Sequence, residues 1–129
     1  MKHIEHQHQV ALIEWARITA IKPAPDIEPG SKVADYLIAI PNGGQRSARE
    51  GARLKAEGVK AGVSDLFLPI RRGGFAGLWL ELKAPGGKPT ALQKEWLAKM
   101  RIAGYWTDWA DDWKDAAASI AGYLSGEVG

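Results

Sequence analysis

GVSDLFLPIRRGGFAGLWLELK, Gly62 to Lys83, is the stretch from which the fold follows. It reads as two short strands, Asp65 to Ile70 and Phe75 to Lys83, joined by a loop at Arg71-Arg72-Gly73-Gly74. Successive side chains of a strand point to opposite faces, so Trp79, Glu81 and Lys83 share one face while Leu78, Leu80 and Leu82 take the other. Glu81 and Lys83 are then neighbours, roughly 7 Å apart along the strand. If the two strands pair, Asp65 lies beside the end of the second, and two carboxylates and one ammonium converge.

That trio has a chemical use. Two hard oxygen ligands hold Mg²⁺ or Mn²⁺ with waters left on the ion, and a lysine beside them orients an attacking water or offsets charge on a phosphate oxygen. The competing reading makes Glu81 and Lys83 ordinary solvent-facing strand residues and Asp65 a turn residue opening a strand.

At 129 residues the chain suits one domain, large enough to bury a core without staples. Cysteine is absent, which excludes disulfides and cysteine-ligated zinc and fits a cytoplasmic protein. No apolar run approaches membrane-spanning length, and no signal-peptide pattern opens the chain, so no membrane partner is expected. The formal charge is only +2, but it is unevenly spread. Residues 41–101 carry a net +7, residues 1–40 a net −1 and residues 102–129 a net −4. Arg46, Arg49, Arg53, Lys55 and Lys60 precede the Asp65 strand, and Arg71, Arg72, Lys88, Lys94, Lys99 and Arg101 lie in or after it. A polyanion is the natural partner for that segment, and a solvated face of mixed charge is the alternative.

Residues 4–20 read as a helix, with Leu12, Ile13, Ala16 and Ala20 on one face. That face extends back to Gln9 and Glu5, which would look into the site, Glu5 as an extra metal ligand or as a residue ordering a water. The stripe Ile4, Ala11, Trp15, Ile18 competes for burial and would leave Glu5 outside. His3, His6 and His8 are expected to be solvated, since His-x-x-His at a fraying terminus makes a poor metal site.

KPAPDIEPGSK, Lys22 to Lys32, is a loop, and the aliphatic run Val33 to Ile40 reads as a strand. Pro41-Asn42-Gly43-Gly44 turns the chain sharply, and its backbone amides could approach a phosphate. Ser47 to Glu57 reads as a helix stopped by Gly58. Ala84 to Pro89 is a loop without the phosphate-binding pattern of a P-loop. Thr90-Ala91-Leu92-Gln93 is a capping box opening a helix to Ala103, with core stripe Leu92, Trp96, Met100 and Ala103. Gln93 therefore caps Thr90 or serves the site. Tyr105 to Trp109 reads as a last strand and Asp111 to Leu124 as a last helix with stripe Trp113, Ala117, Ile120, Leu124. Trp106, Trp109 and Tyr123 make this end aromatic, as a core or a protein interface would be. The order of elements predicts an α/β domain on one mixed sheet flanked by helices.

Pro41-Asn42-Gly43-Gly44, Leu54 to Asp65 (LKAEGVKAGVSD), Glu81-Leu82-Lys83-Ala84 and Gln93, in this order and spacing, closely resemble the VRR-Nuc domain, the virus-type replication-repair branch of the PD-(D/E)XK nucleases. The resemblance runs from about Glu5 to Leu124 and implies a restriction-endonuclease-like core. It makes Asp65, Glu81 and the backbone carbonyl of Leu82 the ligands of Mg²⁺ or Mn²⁺, Lys83 the catalytic lysine, Gln93 the helix glutamine, and Glu5 with Gln9 the N-terminal helix pair. Ser64 stands where the family usually has proline, a change in backbone stiffness and not in metal chemistry.

The resemblance also implies phosphodiester hydrolysis in branched DNA leaving a 5′-phosphate, by a stand-alone protein of bacteriophage or prophage type working in the host cytoplasm. Asn42, Arg46, Arg49, Arg53, Lys55, Lys60 and Lys88 are the expected DNA contacts. A homodimer with two-fold symmetry would match a four-way (Holliday) junction. A monomeric flap or end-processing nuclease and a non-catalytic DNA-binding accessory protein are the alternatives.

Overall fold

The computed structural model describes residues 2–41 and 47–128. The Asn42-Gly43-Gly44 turn and the side chain of His3 lie outside the described residues, as do the proposed contacts Asn42 and Arg46. Helix α1 (Lys2–Ile18) is followed by a 3₁₀ turn (Val33–Asp35), strand β1 (Ile38–Ala39), α2 (Ala48–Ala56), β2 (Leu66–Leu68), β3 (Leu78–Leu82), α3 (Ala91–Ile102), β4 (Trp106–Ala110) and α4 (Trp113–Leu124). The strands form one mixed sheet in the order β1-β2-β3-β4, antiparallel except for the parallel pair β3–β4. This is the expected α/β architecture, and among the described residues no helix is long and apolar enough to cross a membrane.

The β2–β3 hairpin turns where Gly73 and Gly74, both at positive φ, form the two-residue loop between the paired Arg72 and Phe75. β2 stops at Leu68 because Pro69 has no N–H to give the ladder. Leu78, Leu80 and Leu82 are completely buried, as are Leu66 and Leu68 of β2. On that side α1 supplies Leu12 and Ala16, and α4 supplies Ala116, Ile120 and Tyr123. The Tyr123 hydroxyl donates to the Ile70 carbonyl at 2.6 Å and ties α4 to the hairpin. The opposite face takes α3: Trp96 meets Trp79 edge-on at 5.2 Å, and Trp79 stacks on Phe67 at 4.3 Å.

Of the two candidate stripes on α1, Leu12–Ala16 is the buried one. Ile18 is 79% exposed, and Ile4 stands out as well.

Three expectations are corrected. Val33 to Ile40 is not one strand: the Asp35 carboxylate accepts from the Lys32 N–H at 2.8 Å and starts a 3₁₀ turn, leaving only Ile38–Ala39 to pair with β2. A local side-chain bond to the backbone outcompetes strand propensity there. In α3 the inward side is Gln93, Trp96, Leu97 and Met100, while Leu92 and Ala103 are exposed. Rotating Gln93 toward the sheet turns Leu92 away from it. His8, expected to be solvated, is half-buried, and its Nδ1 accepts from the Trp113 N–H at 3.0 Å.

His8 thereby satisfies one of the orphan amides at the start of α4 and links it to α1. His8→Ala is expected to cost about 1 kcal/mol, a typical loss for a helix-capping acceptor. Urea unfolding measures it, and a midpoint equal to that of the unaltered chain would show the bond to contribute nothing.

Candidate active site

Register brings the acids together. Leu66 pairs with Leu80 in the antiparallel β2–β3 ladder, so one step further Asp65 lies directly across from Glu81, on the same face. The Asp65 carboxylate accepts from the Leu82 N–H at 3.0 Å and also lies in hydrogen-bonding reach of Glu81. Since a strand residue's N–H and C=O point to the same edge, the Leu82 carbonyl opens toward Asp65 too. Lys83 Nζ is 4.0 Å from Glu81 Oε2.

Helix α3 supplies the fourth member. Thr90 caps it, accepting from the Gln93 N–H at 3.3 Å, and the Gln93 carboxamide oxygen accepts in return from the Thr90 N–H at 2.8 Å. The same Oε1 accepts from Lys83 Nζ at 3.1 Å, while Nε2 donates to Glu81 Oε2 at 3.2 Å. Gln93 therefore fills both roles open to it, capping Thr90 and touching Glu81 and Lys83. Two donors on Oε1 also settle which way the amide faces. The Thr90 N–H that fixes that amide belongs to the capping box expected from the sequence.

Glu81 is 1% exposed, which rules out the solvent-facing reading of this strand. Its Oε1 is buried and accepts from no N–H or hydroxyl. Burial pushes its carboxyl up to about 9; the hydrogen bond and negative charge of Asp65 add to the rise, Lys83 opposes it, and the charge of Glu5 raises it further. The N-terminal helix thus brings Glu5, itself half-buried, within electrostatic reach of the pair. Gln9 lines a shallow groove with His6, Val10, Ile13 and Arg17. Among the described residues no group of three or more His, Asp or Glu side chains is placed to hold a metal ion. A cation here would rest on Asp65, Glu81 and the Leu82 carbonyl. The donor set fits one: two adjacent carboxylates, one with a buried oxygen that accepts from no N–H or hydroxyl, are short of positive charge. Ser64, in the position before Asp65, is fully buried.

The cations sort into free and committed groups. Arg49, Lys55, Lys60 and Lys88 are exposed. Arg53 is exposed and pairs with Glu57 at 3.1 Å, a surface pair that is easily exchanged. Arg72 is held by Asp26 at 2.8 Å, and Arg101 lies over the Trp106 ring while donating to the Thr107 hydroxyl and carbonyl. Those two buttress the fold.

A hairpin that sets an acid opposite Glu-x-Lys, with a helix-borne glutamine closing the group, defines an α/β nuclease-like domain. No known family model matches the chain, and no curated protein matches it. A solved structure described as "VRR_NUC domain protein" is similar at 27% identity and a TM-score of 0.80, over 95% of this chain and 89% of that one. The chain is thus similar, over nearly its whole length, to a VRR-Nuc domain protein, and that name denotes a nuclease domain.

Proposed function

We propose that this chain is a Mg²⁺- or Mn²⁺-dependent endonuclease that hydrolyses phosphodiesters in branched DNA. The observation that carries the reading is Asp65 across from Glu81 on one face, with Lys83 and Gln93 closing around the buried Glu81 carboxylate. Asp65, Glu81 and the Leu82 carbonyl would hold the cation, which would supply Lewis-acid polarisation of the scissile phosphate and acidify the attacking water. Lys83, steered by Gln93 Oε1, donates to a non-bridging phosphate oxygen and stabilises the charge that builds up at phosphorus. Water oxygen bonds to phosphorus, the bond to O3′ breaks, and O3′ takes up a proton, leaving a 3′-hydroxyl and a 5′-phosphate. Glu5 orders water at the edge of the group, and Arg49, Arg53, Lys55, Lys60 and Lys88 hold the flanking backbone.

Within that reading we infer a homodimer that resolves four-way junctions, with two sites related by two-fold symmetry cutting opposite strands. Exposed Ile102 and Trp109 near the C-terminal end support an apolar contact. Trp106 and Trp113 do not, since they pack against the core. One observation favours the monomeric flap or end-processing nuclease: the free edge of β4 is blocked. Arg101 occupies the Thr107 carbonyl and the Asp108 carboxylate occupies the Trp109 N–H, so a dimer could not form by adding strands there.

The test is a panel of labelled four-way junction, flap, splayed and duplex DNA with Mg²⁺, Mn²⁺ or chelator. Paired symmetric nicks in the junction support the resolvase, and cuts confined to flaps or ends select the monomeric nuclease. Lys83→Ala that binds DNA in Ca²⁺ yet cuts at the unaltered rate would remove Lys83 from the chemistry. DNA bound but uncut under every condition would leave the non-catalytic accessory protein.

A further inference from the structure

We propose that the groove between α2 and α3 receives an unpaired nucleotide next to the scissile phosphate, and so selects DNA with a base out of the stack at the cut. This inference rests on the nuclease reading above and deepens it.

The groove encloses about 570 Å³, within the size range of pockets that bury a small-molecule-sized group. Leu54 of α2, Val59 after it and Leu92 of α3 form an aliphatic floor, with Lys55 and Lys60 at the rim. No acid lines it among the described residues. Leu92 is 54% exposed and Val59 37% exposed, so large apolar side chains from separate segments converge on solvent. α2 buries no side chain at all. Packing inside the domain therefore does not account for this apolar surface.

The groove and the site are carried by the same two segments. Leu92 immediately precedes Gln93, and Ala61, which lines the groove too, leads through Gly62 to Asp65. Gly62, at φ +89°, lies so close to α3 that a Cβ there would stand 2.7 Å from the Leu92 carbonyl oxygen. That approach fixes the N-terminal end of α3 against the segment that leads to Asp65. An apolar floor with two ammonium groups and no carboxylate complements a nucleotide: the base face on Leu54, Val59 and Leu92, the phosphates on Lys55 and Lys60. In an intact duplex the base faces are covered by their stacked neighbours, so only a nucleotide displaced at a branch point, flap or frayed end offers such a face.

The experiment measures binding in Ca²⁺ to three DNAs: a plain duplex, the same duplex with a one-nucleotide flap, and that flap with its base removed. The unaltered chain is expected to bind the flap roughly tenfold tighter than the abasic flap, from apolar surface covered by the base. Leu92→Gln, neutral and at an exposed position, should reduce that difference severalfold while leaving duplex affinity within about twofold. Val59→Gln should do the same independently, which guards against a local effect on α3. Equal binding of the flap and the abasic flap by the unaltered chain would overturn the groove while the nuclease reading stands. A preserved difference in both variants would do so as well. Failure to bind any of the three DNAs would overturn both.

Discussion

Glu81→Gln should stabilise the metal-free protein at pH 8 while removing cleavage. In the fold the Glu81 carboxyl has its pKa raised from 4.5 to about 9, chiefly by burial and next by Asp65. Between those values the native chain holds a proton that the unfolded chain gives up, so stability falls as pH rises, by up to about 1.4 kcal/mol per pH unit. The contribution is fully present below the unfolded pKa and is lost as pH climbs through the folded one. A glutamine has the shape of the protonated acid, can accept from Gln93 Nε2 and can donate to Asp65, yet has no charge to desolvate. Its melting temperature should therefore exceed that of the unaltered chain by about 5 °C or more at pH 8 and converge with it near pH 4. Cleavage should fall by at least about 10²–10³-fold, because a neutral amide is a poor ligand for a hard cation. Equal melting temperatures across the pH range would show that the fold does not hold Glu81 as a buried acid.

The hairpin and its acids were legible because they depend on two strong regularities. Strand alternation puts Glu81 and Lys83 on one face, and antiparallel pairing across a short turn sets Asp65 opposite Glu81. The Thr90–Gln93 capping box was legible for a similar reason, since the local spacing predicts the local bond. What escaped depends on distant or competing partners. Asp35 diverts an aliphatic run through one carboxylate bond to the backbone. His8 meets a single amide across a long stretch of chain. Counting charges could not separate Arg72 and Arg101, committed to Asp26 and to Thr107, from the free lysines around the α2–α3 groove. Nor could periodicity place Leu92, because the turn of Gln93 toward Glu81 overrides the most apolar stripe of α3. Local rules were obeyed wherever nothing competed with them, and they gave way where a competing side-chain bond or a partner distant in sequence intervened.

Divalent-cation binding should be coupled to release of a proton. A carboxyl must be ionised to ligate Mg²⁺ or Mn²⁺, and the Glu81 carboxyl, raised to about 9, is protonated at neutral pH in the metal-free fold. The apparent affinity is thus expected to rise about tenfold per pH unit from roughly pH 6 toward pH 9 and to flatten above, where the proton is already gone. Near pH 7, titration calorimetry in buffers of different ionisation enthalpy should report close to one proton released per ion. Lys83→Met should strengthen binding, because the ammonium repels the doubly charged ion more than the single proton that the ion displaces. Without the ammonium the Glu81 proton is also held more tightly, so the gain is expected to be smaller at pH 7 than above pH 9. A gain that grows with pH separates proton competition from plain charge repulsion, under which it would be the same at every pH. An affinity independent of pH, with no proton released, would mean that the cation is held by groups other than Glu81.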